Sequence, residues 1–551
     1  ISKFLKIIFI VFLINISQVI AATNTWEFDL STDYTLSNST SFDFNSWIVN
    51  LKKNTLTHIW SATTATNLDW AYDIVVDWNY AYVTSNVDDK VSVYDVSNPA
   101  SPTFVSQIVN NNWTIRLNWA AWIIKDGNYL YIASQVSDAL QIIDVTNPLT
   151  PVAAWQLLNT ATTQLNWARW IDIDSINKKV YIASDQSDWL TVVDVSNPAA
   201  PTYIWKYRVN NGNLNWAYDV KISGNYAFVT SLTNDAFSVL DITTPNPTYI
   251  TQLIWNTIFD GAWWIDISWN YAYVSSSVDA AVRVVDISTP TAPVIVANIS
   301  WWSYSLAWTR YLFVEGDYLF VTSFTNDAIN VVDISNPLNP IYVTKIIHNA
   351  ANPLLDWATG LFKLWDYIYV SWFDWDSLEI LKFEYDKTSP SIIPNTWFVI
   401  WTDYLTSLSN VLWWGNAWSI TYQISKDNWT TWYYWNWSAW STTALWVANS
   451  NTLSVINTNI DDFNLIAGTW VFKFKAFLTS NGDQAVELDS FTVNTTSSPS
   501  PGWVSTNMAL WFKSNKWTST TTDWAALNTW NDFSWFWAHA IAWNAPIYKN
   551  N

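Results

Sequence analysis

The stretch LTVVDVSNP, residues 190–198, decides the fold, because it joins a strand to a turn and recurs along the chain. Val and Thr favour extended β structure, whereas Asp, Ser, Asn and Pro favour tight turns. Related stretches read VSVYDVSNP, LQIIDVTNP, VRVVDISTP and INVVDISNP, beginning at residues 91, 140, 282 and 329. They predict a structural unit that is repeated many times, in which one strand always ends in the same turn.

A second signature opens each repeat, as in LNWARWIDI from residue 165. Its seven copies begin 45 to 49 residues apart, at residues 68, 117, 165, 214, 259, 306 and 355. Each is followed by a run such as NYAYVTS, then by the strand with its turn, then by a short run such as PTYIWKY. Four strands per repeat at this spacing predict an all-β chain with a seven-bladed β-propeller over residues 54–386.

The two ends of the repeated region are complementary. The last repeat ends at Asp386 without a fourth run, and a matching run, TLTHIW, occupies residues 55–60. We expect this N-terminal strand to complete the last blade, which leaves no exposed sheet edge at the joint.

The VVDVSNP-type tails resemble the LVIVD repeat family of bacterial surface and secreted propeller-like proteins. The resemblance covers about residues 55–385. It implies a β-propeller fold, and it implies no well-defined activity.

Tryptophan stands where other copies of the repeat carry small residues. The chain has 45 Trp and 10 Gly, whereas about 7% glycine is usual. The turn before the second strand favours a left-handed backbone, which glycine adopts freely and tryptophan resists. This turn slot holds Trp78, Gly127, Gly224, Trp269, Gly316 and Trp365. The slot in the opening signature holds Trp70, Trp119, Trp167, Trp216, Gly261, Trp308 and Trp357.

Three further slots mix tryptophan with small residues in the same way. Three residues after the slot in the opening signature stand Trp122, Trp170, Trp264 and Gly360. Before the third strand, Trp189 aligns with Ala139, Ala236, Ala280, Ala328 and Ser377. In the fourth strand, Trp155 and Trp205 align with Ser106, Thr251, Ala297 and Thr344. We interpret most of these tryptophans as glycines in the natural protein, since some bacterial lineages read the UGA codon as glycine. Aromatic or strand-like contexts identify Trp432, Trp440, Trp511 and Trp530 as genuine. The alternative, a Trp-rich surface that stacks on sugars, leaves the scarcity of glycine unexplained.

The rest of the chain divides by composition. Residues 1–22 are predicted to be a secretory signal peptide, with Lys3 and Lys6 before the apolar run 7–14, and residues 23–53 to be an N-terminal β segment. No other stretch has the length and apolarity of a membrane span, so the mature chain is expected to have none, and a secreted or cell-surface location follows.

Beyond the propeller we predict a linker at 387–394, a β-sandwich at 395–494 and a second linker at 495–502. In the sandwich, Trp429 and Trp437 follow asparagine, and glycine at either position would give an Asn-Gly turn. Residues 503–551 resemble the start of a concanavalin A-like (laminin-G-like) jelly roll. Its presumed glycines are Trp517, Trp524, Trp535, Trp537 and Trp543.

Charge and composition exclude several functions. The net charge of −20 argues against nucleic acid as a partner, and the lack of cysteine excludes disulfides and thiolate metal sites. His58, His348 and His539 are the only histidines, none lies in a hydrolase motif, and we interpret them as structural. No catalytic or cofactor-binding residue is assigned.

Two sets of repeated aspartates are the candidate site residues. We expect the first set to cap the turns that follow it: Asp95, Asp144, Asp194, Asp241, Asp286 and Asp333. The second set, which lies between the second and third strands, has calcium as its candidate ligand: Asp88, Asp138, Asp188, Asp235, Asp279, Asp327 and Asp376.

These features favour a non-enzymatic exported or cell-surface binding or adhesion protein, which presents the loops of a rigid propeller to a protein or carbohydrate ligand. The first alternative is an exported polysaccharide-active enzyme, which needs carboxylates from non-equivalent loops in one mouth of the channel. The second is a structural component of a surface layer.

Overall fold

The structure is a computed structural model of the 551-residue chain. It describes residues 21–27, 34–36, 42–45, 48–63, 67–186, 188–208, 214, 216–233, 235–254, 261–300, 306, 308–347, 358–372, 377–395, 398–399, 403–411, 420–427, 430–443, 447–466, 471–483, 485–488, 490–497, 529–531 and 539–541. The chain divides into two compact units, residues 52–386 and residues 1–51 with 387–551.

The strands of the N-terminal part and of the first four repeats follow in chain order. They are β1 (Ala21–Glu27), β2 (Tyr34–Leu36), β3 (Phe42–Asn45), β4 (Ile48–Leu51), β5 (Lys53–Thr63), β6 (Ala71–Asp77), β7 (Tyr80–Ser85), β8 (Lys90–Asp95), β9 (Thr103–Val109), β10 (Ala120–Asp126), β11 (Tyr129–Ser134), β12 (Ala139–Asp144), β13 (Val152–Leu158), β14 (Ala168–Asp174), β15 (Lys179–Ser184), β16 (Trp189–Asp194), β17 (Thr202–Tyr207), β18 (Ala217–Ser223), β19 (Tyr226–Ser231), β20 (Ala236–Asp241) and β21 (Thr248–Ile254).

The last three repeats contain β22 (Ala262–Ser268), β23 (Tyr271–Ser276), β24 (Ala281–Asp286), β25 (Val294–Ser300), β26 (Thr309–Glu315), β27 (Tyr318–Ser323), β28 (Ala328–Asp333), β29 (Ile341–Ile347), β30 (Ala358–Leu364), β31 (Tyr367–Trp372) and β32 (Ser377–Tyr385). The remainder contains β33 (Ser391–Pro394), β34 (Phe398–Val399), β35 (Asp403–Val411), β36 (Ile420–Ser425), β37 (Trp432–Trp435), β38 (Trp440–Thr443), a 3₁₀ turn (Val447–Asn449), α1 (Leu453–Thr458), α2 (Ile460–Asn464), β39 (Val471–Leu478), β40 (Glu487–Leu488), β41 (Ser490–Ser497), β42 (Thr529–Asn531) and β43 (His539–Ile541).

The unit of residues 52–386 is built from four-stranded antiparallel sheets. Among the described residues there are seven, and in six of them the strands follow one another directly, from β6-β7-β8-β9 to β26-β27-β28-β29. The first strand of each sheet contacts the first strand of the next, in the order β6, β10, β14, β18, β22, β26, β30 and back to β6. This cyclic order of repeated sheets fits a β-propeller, as the repeats predict.

The seventh sheet has the order β30-β31-β32-β5, so its outer strand comes from the N-terminal end of the unit. β5 pairs antiparallel with β32, from Ser377 opposite Thr63 to Tyr385 opposite Lys53. The predicted closure by residues 55–60 is confirmed by this pairing.

Packing between sheets explains the strand sequences. The second and third strands are buried almost throughout, as in YLYIAS of β11 and ALQIID of β12. The fourth strands are mostly half-buried with exposed residues at intervals, as in VAAWQLL of β13. Strands buried on both faces read as continuous apolar runs, which is the pattern of the second and third strands here.

The second unit combines both ends of the chain. One sheet has the order β1-β41-β35, another β2-β33-β39-β36-β37-β38 with β34 beside β39, and a third β3-β4-β40. The predicted linker at 387–394 is therefore partly wrong: Ser391–Pro394 form β33, which pairs with β2 and β39. The predicted N-terminal segment supplies β1 to β4 to this unit, so the β structure is larger than the predicted sandwich at 395–494.

Several predictions fall mainly outside the described residues. Residues 1–20 of the predicted signal peptide are not described, and β1 begins at its last two residues, Ala21 and Ala22. β41 continues to Ser497, inside the predicted second linker. Of the predicted jelly-roll segment 503–551 only the β42–β43 hairpin is described. Among the described residues no helix is long and apolar enough to cross a bilayer.

Candidate functional site

The first set of repeated aspartates caps the turns after the third strands. Asp194 Oδ1 accepts a hydrogen bond from the backbone N–H of Ser196 at 2.8 Å, and the same contact recurs in six sheets at 2.8 to 2.9 Å. Its acceptors are Asp95, Asp144, Asp194, Asp241, Asp286 and Asp333. The predicted structural role of this set is confirmed.

The second set of aspartates joins neighbouring sheets. Asp138 Oδ1, before β12, accepts the backbone N–H of Trp167, which stands before β14 in the next sheet, at 2.8 Å. The same bond joins Asp89 to Trp119, Asp188 to Trp216 and Asp235 to Gly261, each at 2.9 Å. We call these four contacts the latches. The latch face is the face of the propeller unit that carries them and the loops between the second and third strands.

The latches correct the sequence alignment in two loops. In the first sheet the latch residue is Asp89, whereas Asp88 accepts from the backbone N–H of Asp69 and lies 2.6 Å from Lys90 Nζ. In the fifth sheet the equivalent left-handed position is Ala280, and Asp279 instead pairs with Arg283 at 2.8 Å. Ala281, not Ala280, stands in register with Trp189. Asp376 lies outside the described residues.

Aspartates on the first strands also join neighbouring sheets. Each of their carboxylates accepts a backbone N–H of the first strand in the next sheet around the ring. Four bonds of 2.7 to 3.1 Å run from backbone N–H groups to Oδ2 atoms: Ile123 to Asp73, Ile222 to Asp172, Ile265 to Asp219 and Val314 to Asp266. Sequence reasoning missed these aspartates, because they occur in only some repeats and at two different strand positions.

Lys221 lies among these carboxylates, with Nζ 3.6 Å from Asp266 Oδ1. Burial by itself lowers the pKa of Lys221, but Asp266, Asp172, Asp219 and Asp73 outweigh it, so the net pKa is raised. Burial raises the pKa of Asp73 and of Asp219 to about 7. Asp73 lies on the first strand of the first sheet and the other residues on the first strands of the third, fourth and fifth sheets, so the interaction of Lys221 with all four carboxylates places them near the axis. We call Asp73, Asp172, Asp219, Lys221 and Asp266 the axial cluster.

Aromatic rings fill the axis beside this cluster. The ring of Trp170 lies with its centroid 4.4 Å from that of Trp122, 6.4 Å from that of Trp264 and 3.6 Å from that of Tyr218. Aromatic pairs usually have centroids about 4.5 to 7 Å apart, so the packing around Trp170 is crowded. We call Trp122, Trp170 and Trp264 the indole plug.

Backbone geometry distinguishes a group of tryptophans from ordinary ones. Trp78 has φ of 50° and Trp269 of 52°, beside 55° for Gly127 in the equivalent turn. Positive φ values from 50° to 73° occur at Trp70, Trp78, Trp119, Trp167, Trp216, Trp269, Trp308, Trp365 and Trp437. All nine stand at positions where the sequence predicts glycine, and a left-handed backbone is unfavourable for a bulky side chain.

The hydrogen bonding of buried indole N–H groups also separates two kinds of tryptophan. Among the described residues, the Nε1 atoms of Trp170, Trp264 and Trp372 are buried without a hydrogen-bond partner. In contrast, Trp440 Nε1 donates to Asn459 O at 2.9 Å. Buried indole N–H groups usually have such a partner. Sequence reasoning missed Trp372, although the other six sheets end their second strand in serine there, as at Ser134.

His58 lies at the joint of the ring, on β5. Its Nε2 is 3.0 Å from both Ser61 Oγ and Glu379 Oε2, and Ser61 Oγ donates to Glu379 Oε2 at 2.6 Å. A hydrolase triad uses the two different ring nitrogens for hydroxyl and carboxylate, so this is not that arrangement. Burial lowers the pKa of His58 and raises that of Glu379 to about 8. His348 lies outside the described residues, and His539 begins β43.

In the latches the aspartate Oδ1 atoms accept backbone N–H groups, and calcium binding by the second set stays a prediction. No group of three or more acidic, histidine or cysteine side chains with metal-binding geometry occurs among the described residues.

Comparison with known proteins identifies the repeats. The family model for the LVIVD repeat matches residues 70–109, 121–156, 178–209, 216–253, 261–300 and 309–346. The seventh copy, from residue 355, is not among these segments, although it supplies β30 to β32. No curated protein matches the chain.

Solved structures that match this chain share little sequence with it. A functionally unknown protein from Desulfotomaculum acetoxidans is 11% identical, with 57% of this chain and 92% of that chain covered and a TM-score of 0.43. A putative 6-phosphogluconolactonase from Bacteroides fragilis is 10% identical (51% and 87% covered, TM-score 0.41), and hydrazine synthase from Kuenenia stuttgartiensis is 11% identical (59% and 99% covered, TM-score 0.44). The chain thus contains six LVIVD repeats, folded as four-stranded antiparallel sheets that fit a β-propeller.

Proposed function

We propose that the chain is an exported bacterial protein that binds a ligand on the latch face of a seven-bladed propeller and catalyses no reaction. The observation that carries this proposal is the use of the repeated carboxylates. Asp144 caps a turn and Asp138 latches two sheets, so both recurrent aspartates of one repeat stabilise the frame. A frame held in this way presents its loops in fixed positions, which suits recognition.

The latch-face loops also present apolar side chains to solvent. Val87, Val136 and Val278 occupy the same loop position in three sheets, and all three are exposed. These equivalent positions give the latch face exposed apolar side chains that are available to a partner.

The proposal includes the reading of most slot tryptophans as glycine. Two groups of tryptophans support it. Glycine would remove the backbone strain at the nine left-handed positions, and it would remove the buried, unpaired N–H groups of the three indoles. Export by residues 1–22 and a concanavalin A-like domain that begins near residue 503 complete the proposal.

Two experiments test it. Mass spectrometry of the natural peptide 67–90 is expected to show glycine at positions 70 and 78, and tryptophan masses would end the glycine reading. For binding, the labelled glycine-form protein is added to cell envelopes of the producing organism. We expect saturable retention that is lost in the Val87→Glu, Val136→Glu, Val278→Glu variant and kept in Val152→Glu, which alters an exposed fourth strand. Equal retention of both variants would contradict a ligand site on the latch face.

A further inference from the structure

The carboxyl groups of the axial cluster hold neighbouring sheets together at their first strands. Four bonds of 2.7 to 3.1 Å run from backbone N–H groups to their Oδ2 atoms, as from Ile123 on β10 to Asp73 on β6. These bonds join the first sheet to the second, the third to the fourth, the fourth to the fifth and the fifth to the sixth. A change of charge at the axis therefore acts directly on four contacts between sheets.

The axial cluster contains more acids than bases. Lys221 interacts electrostatically with all four carboxyl groups, and its Nζ lies 3.6 Å from Asp266 Oδ1. With every carboxyl group ionised, four negative charges would face one ammonium, which leaves a net charge of −3. Crowded carboxyl groups of this kind take up protons, because like charges disfavour the ionised form. The count of charges is the same whether the indole plug consists of tryptophan or of glycine.

The first strands outside the cluster bring no base to the equivalent positions. Where β18 has Asp219 and Lys221, the equivalent residues are Trp122 and Ile124 on β10, Tyr311 and Phe313 on β26, and Gly360 and Phe362 on β30. Burial and the charges of the four carboxylates raise the pKa of Tyr311, so its hydroxyl stays neutral. Behind the cluster the second strands supply hydroxyl groups, since Thr84 and Thr230 accept the N–H groups of Asp73 and Asp219.

The charged side chains at the two ends of the first strands have other contacts. Toward the latch face, Arg169 pairs with Asp185 at 3.0 Å beside Tyr72 and Tyr218, and Arg310 lies over the ring of Phe324. At the opposite ends, Lys125 pairs with Asp77, and Lys363 pairs with Glu315. Lys221 is thus the cation that faces all four carboxyl groups.

Asp73 and Asp219 are the members best placed to hold protons. They are 3% and 5% exposed, and Asp73 Oδ1 is buried without a hydrogen-bond partner among the described residues. A buried charge that is not fully compensated is costly. Burial raises the pKa of both carboxyl groups to about 7, whereas about 4 is usual. The side chains of Lys221 and Asp266 are 34% and 15% exposed, so protons can reach the cluster from water.

We propose that the axial cluster is a proton-operated lock on the ring, which holds protons on Asp73 and Asp219 while the sheets are tight and releases them as the first strands separate. Because both groups bind protons more strongly in the folded chain than in the unfolded one, stability falls as the pH rises between about 4 and 7. Two protons make the folding equilibrium constant fall by up to about 100-fold per pH unit in that interval. The ring is therefore tighter in a mildly acidic medium than in a neutral or alkaline one.

The test uses the Glu379→Gln protein throughout, so that the buried carboxyl group at the joint of the ring does not contribute. Infrared spectroscopy at pH 6 should show the carbonyl stretch of protonated carboxyl groups, which should disappear at pH 9. Hydrogen exchange is corrected for its intrinsic pH dependence. The N–H groups of Ile123 and Ile265 should lose about tenfold or more of their protection between pH 5 and pH 8. The latch N–H groups of residues 119 and 167 should keep theirs, because their acceptors lie at the latch face.

The double variant Asp73→Asn, Asp219→Asn carries neutral side chains of the same shape. It should lose most of the infrared signal and keep equal protection at both pH values, whereas Asp144→Asn, which alters a turn cap, should behave as the parent. The proposal is overturned if the parent shows no protonated carboxyl signal at pH 6, or if its N–H groups at Ile123 and Ile265 are equally protected at pH 5 and pH 8. The full signal surviving in the double variant would also overturn it. The parent measurements change nothing in the cluster, so a variant that fails to fold does not decide the result.

Discussion

Asp138 accepts the backbone N–H of Trp167 at 2.8 Å, and both residues have a left-handed backbone, with φ of 49° and 57°. The bond joins two adjacent sheets at the latch face, and three other pairs of sheets have the same one. A charged acceptor on a backbone donor is among the stronger hydrogen bonds in proteins. The latches therefore hold the sheets together through polar contacts as well as through the apolar packing between them.

Removing a latch should destabilise the propeller unit. We expect Asp138→Gly to lower the free energy of unfolding by about 1.5 to 3 kcal/mol, the usual worth of a hydrogen bond to a charged group. Glycine tolerates the left-handed backbone, so the loss reports the latch and not strain. Asp138→Asn keeps a side-chain oxygen and should lose less. A denaturant midpoint of Asp138→Gly equal to that of the parent would show that the latch contributes nothing.

Replacing a left-handed tryptophan by glycine should stabilise the chain. Trp78 is 73% exposed at φ of 50°, so Trp78→Gly loses little packing and relieves strain worth about 1 to 2 kcal/mol. Trp113 is the matched control, because it is 81% exposed and is not among the residues with positive φ. Trp113→Gly should be neutral or destabilising. Thermal unfolding of both variants measures the difference, and a gain in Trp113→Gly as large as in Trp78→Gly would refute the role of the backbone.

The β37–β38 hairpin contains both kinds of tryptophan, Trp437 in its turn and Trp440 at the start of β38. Trp440 donates from Nε1 to Asn459 O, and its ring lies 4.9 Å from that of Phe463. Trp440→Gly should cost about 3 kcal/mol, the scale for deleting a packed aromatic ring. Trp437 is exposed with φ of 73°, so Trp437→Gly should be neutral or stabilising. Similar costs for the two variants, measured by denaturant unfolding, would contradict the division into genuine and misread tryptophans.

The joint of the ring should weaken as the pH rises. Glu379 is fully buried between Ser61 and His58 of β5 and Ser377 of its own strand, and burial raises its pKa to about 8. Because the folded pKa exceeds the unfolded one, the folded state holds an extra proton between about pH 4.5 and 8, and stability falls across that interval. The loss is at most a few kcal/mol, since one pKa unit corresponds to about 1.4 kcal/mol.

Glu379→Gln removes that titration. We expect the variant to be more stable than the parent at pH 9, with the difference shrinking at pH 5, and hydrogen exchange in β5 to slow accordingly at the higher pH. Glu384→Gln, on the same strand beside Lys382, is the control and should not reproduce the effect. A parent protein whose stability is the same at pH 5 and pH 9 would refute the buried-carboxyl explanation.

Local sequence predicts the elements of this fold well, because the residues that favour each strand and turn are adjacent in the chain. The closing strand β5 was predictable since the last repeat lacks a fourth run and residues 55–60 supply one. The caps at Asp95 and its equivalents were predictable because donor and acceptor are two residues apart. The left-handed backbone at Trp78, Trp269 and Trp365 was predictable because the repeats align these residues with glycines, such as Gly127, that have a positive φ.

Contacts between repeats are harder to predict. A latch joins residues about 30 positions apart in different sheets, and no repeat alone contains both partners. The axial cluster escaped detection because Asp73 and Asp219 occupy one strand position and Asp172 and Asp266 another, so alignment shows no recurring charge. The sequence predicts a linker at β33 because a four-residue strand that ends in proline has no periodicity of its own.

The pairing of β5 with β32 also sets the order of events during synthesis. His58 and Glu379 are 321 residues apart, so at 5–20 residues per second β5 waits on the order of 20 to 60 s for its partner to be made. Until then the first strand of the unit has an open edge and the ring has a gap. The six complete sheets need no residue beyond their own repeats, but the ring closes only once β32 is present, so a chain interrupted before Ser377 keeps an unpaired strand at its start.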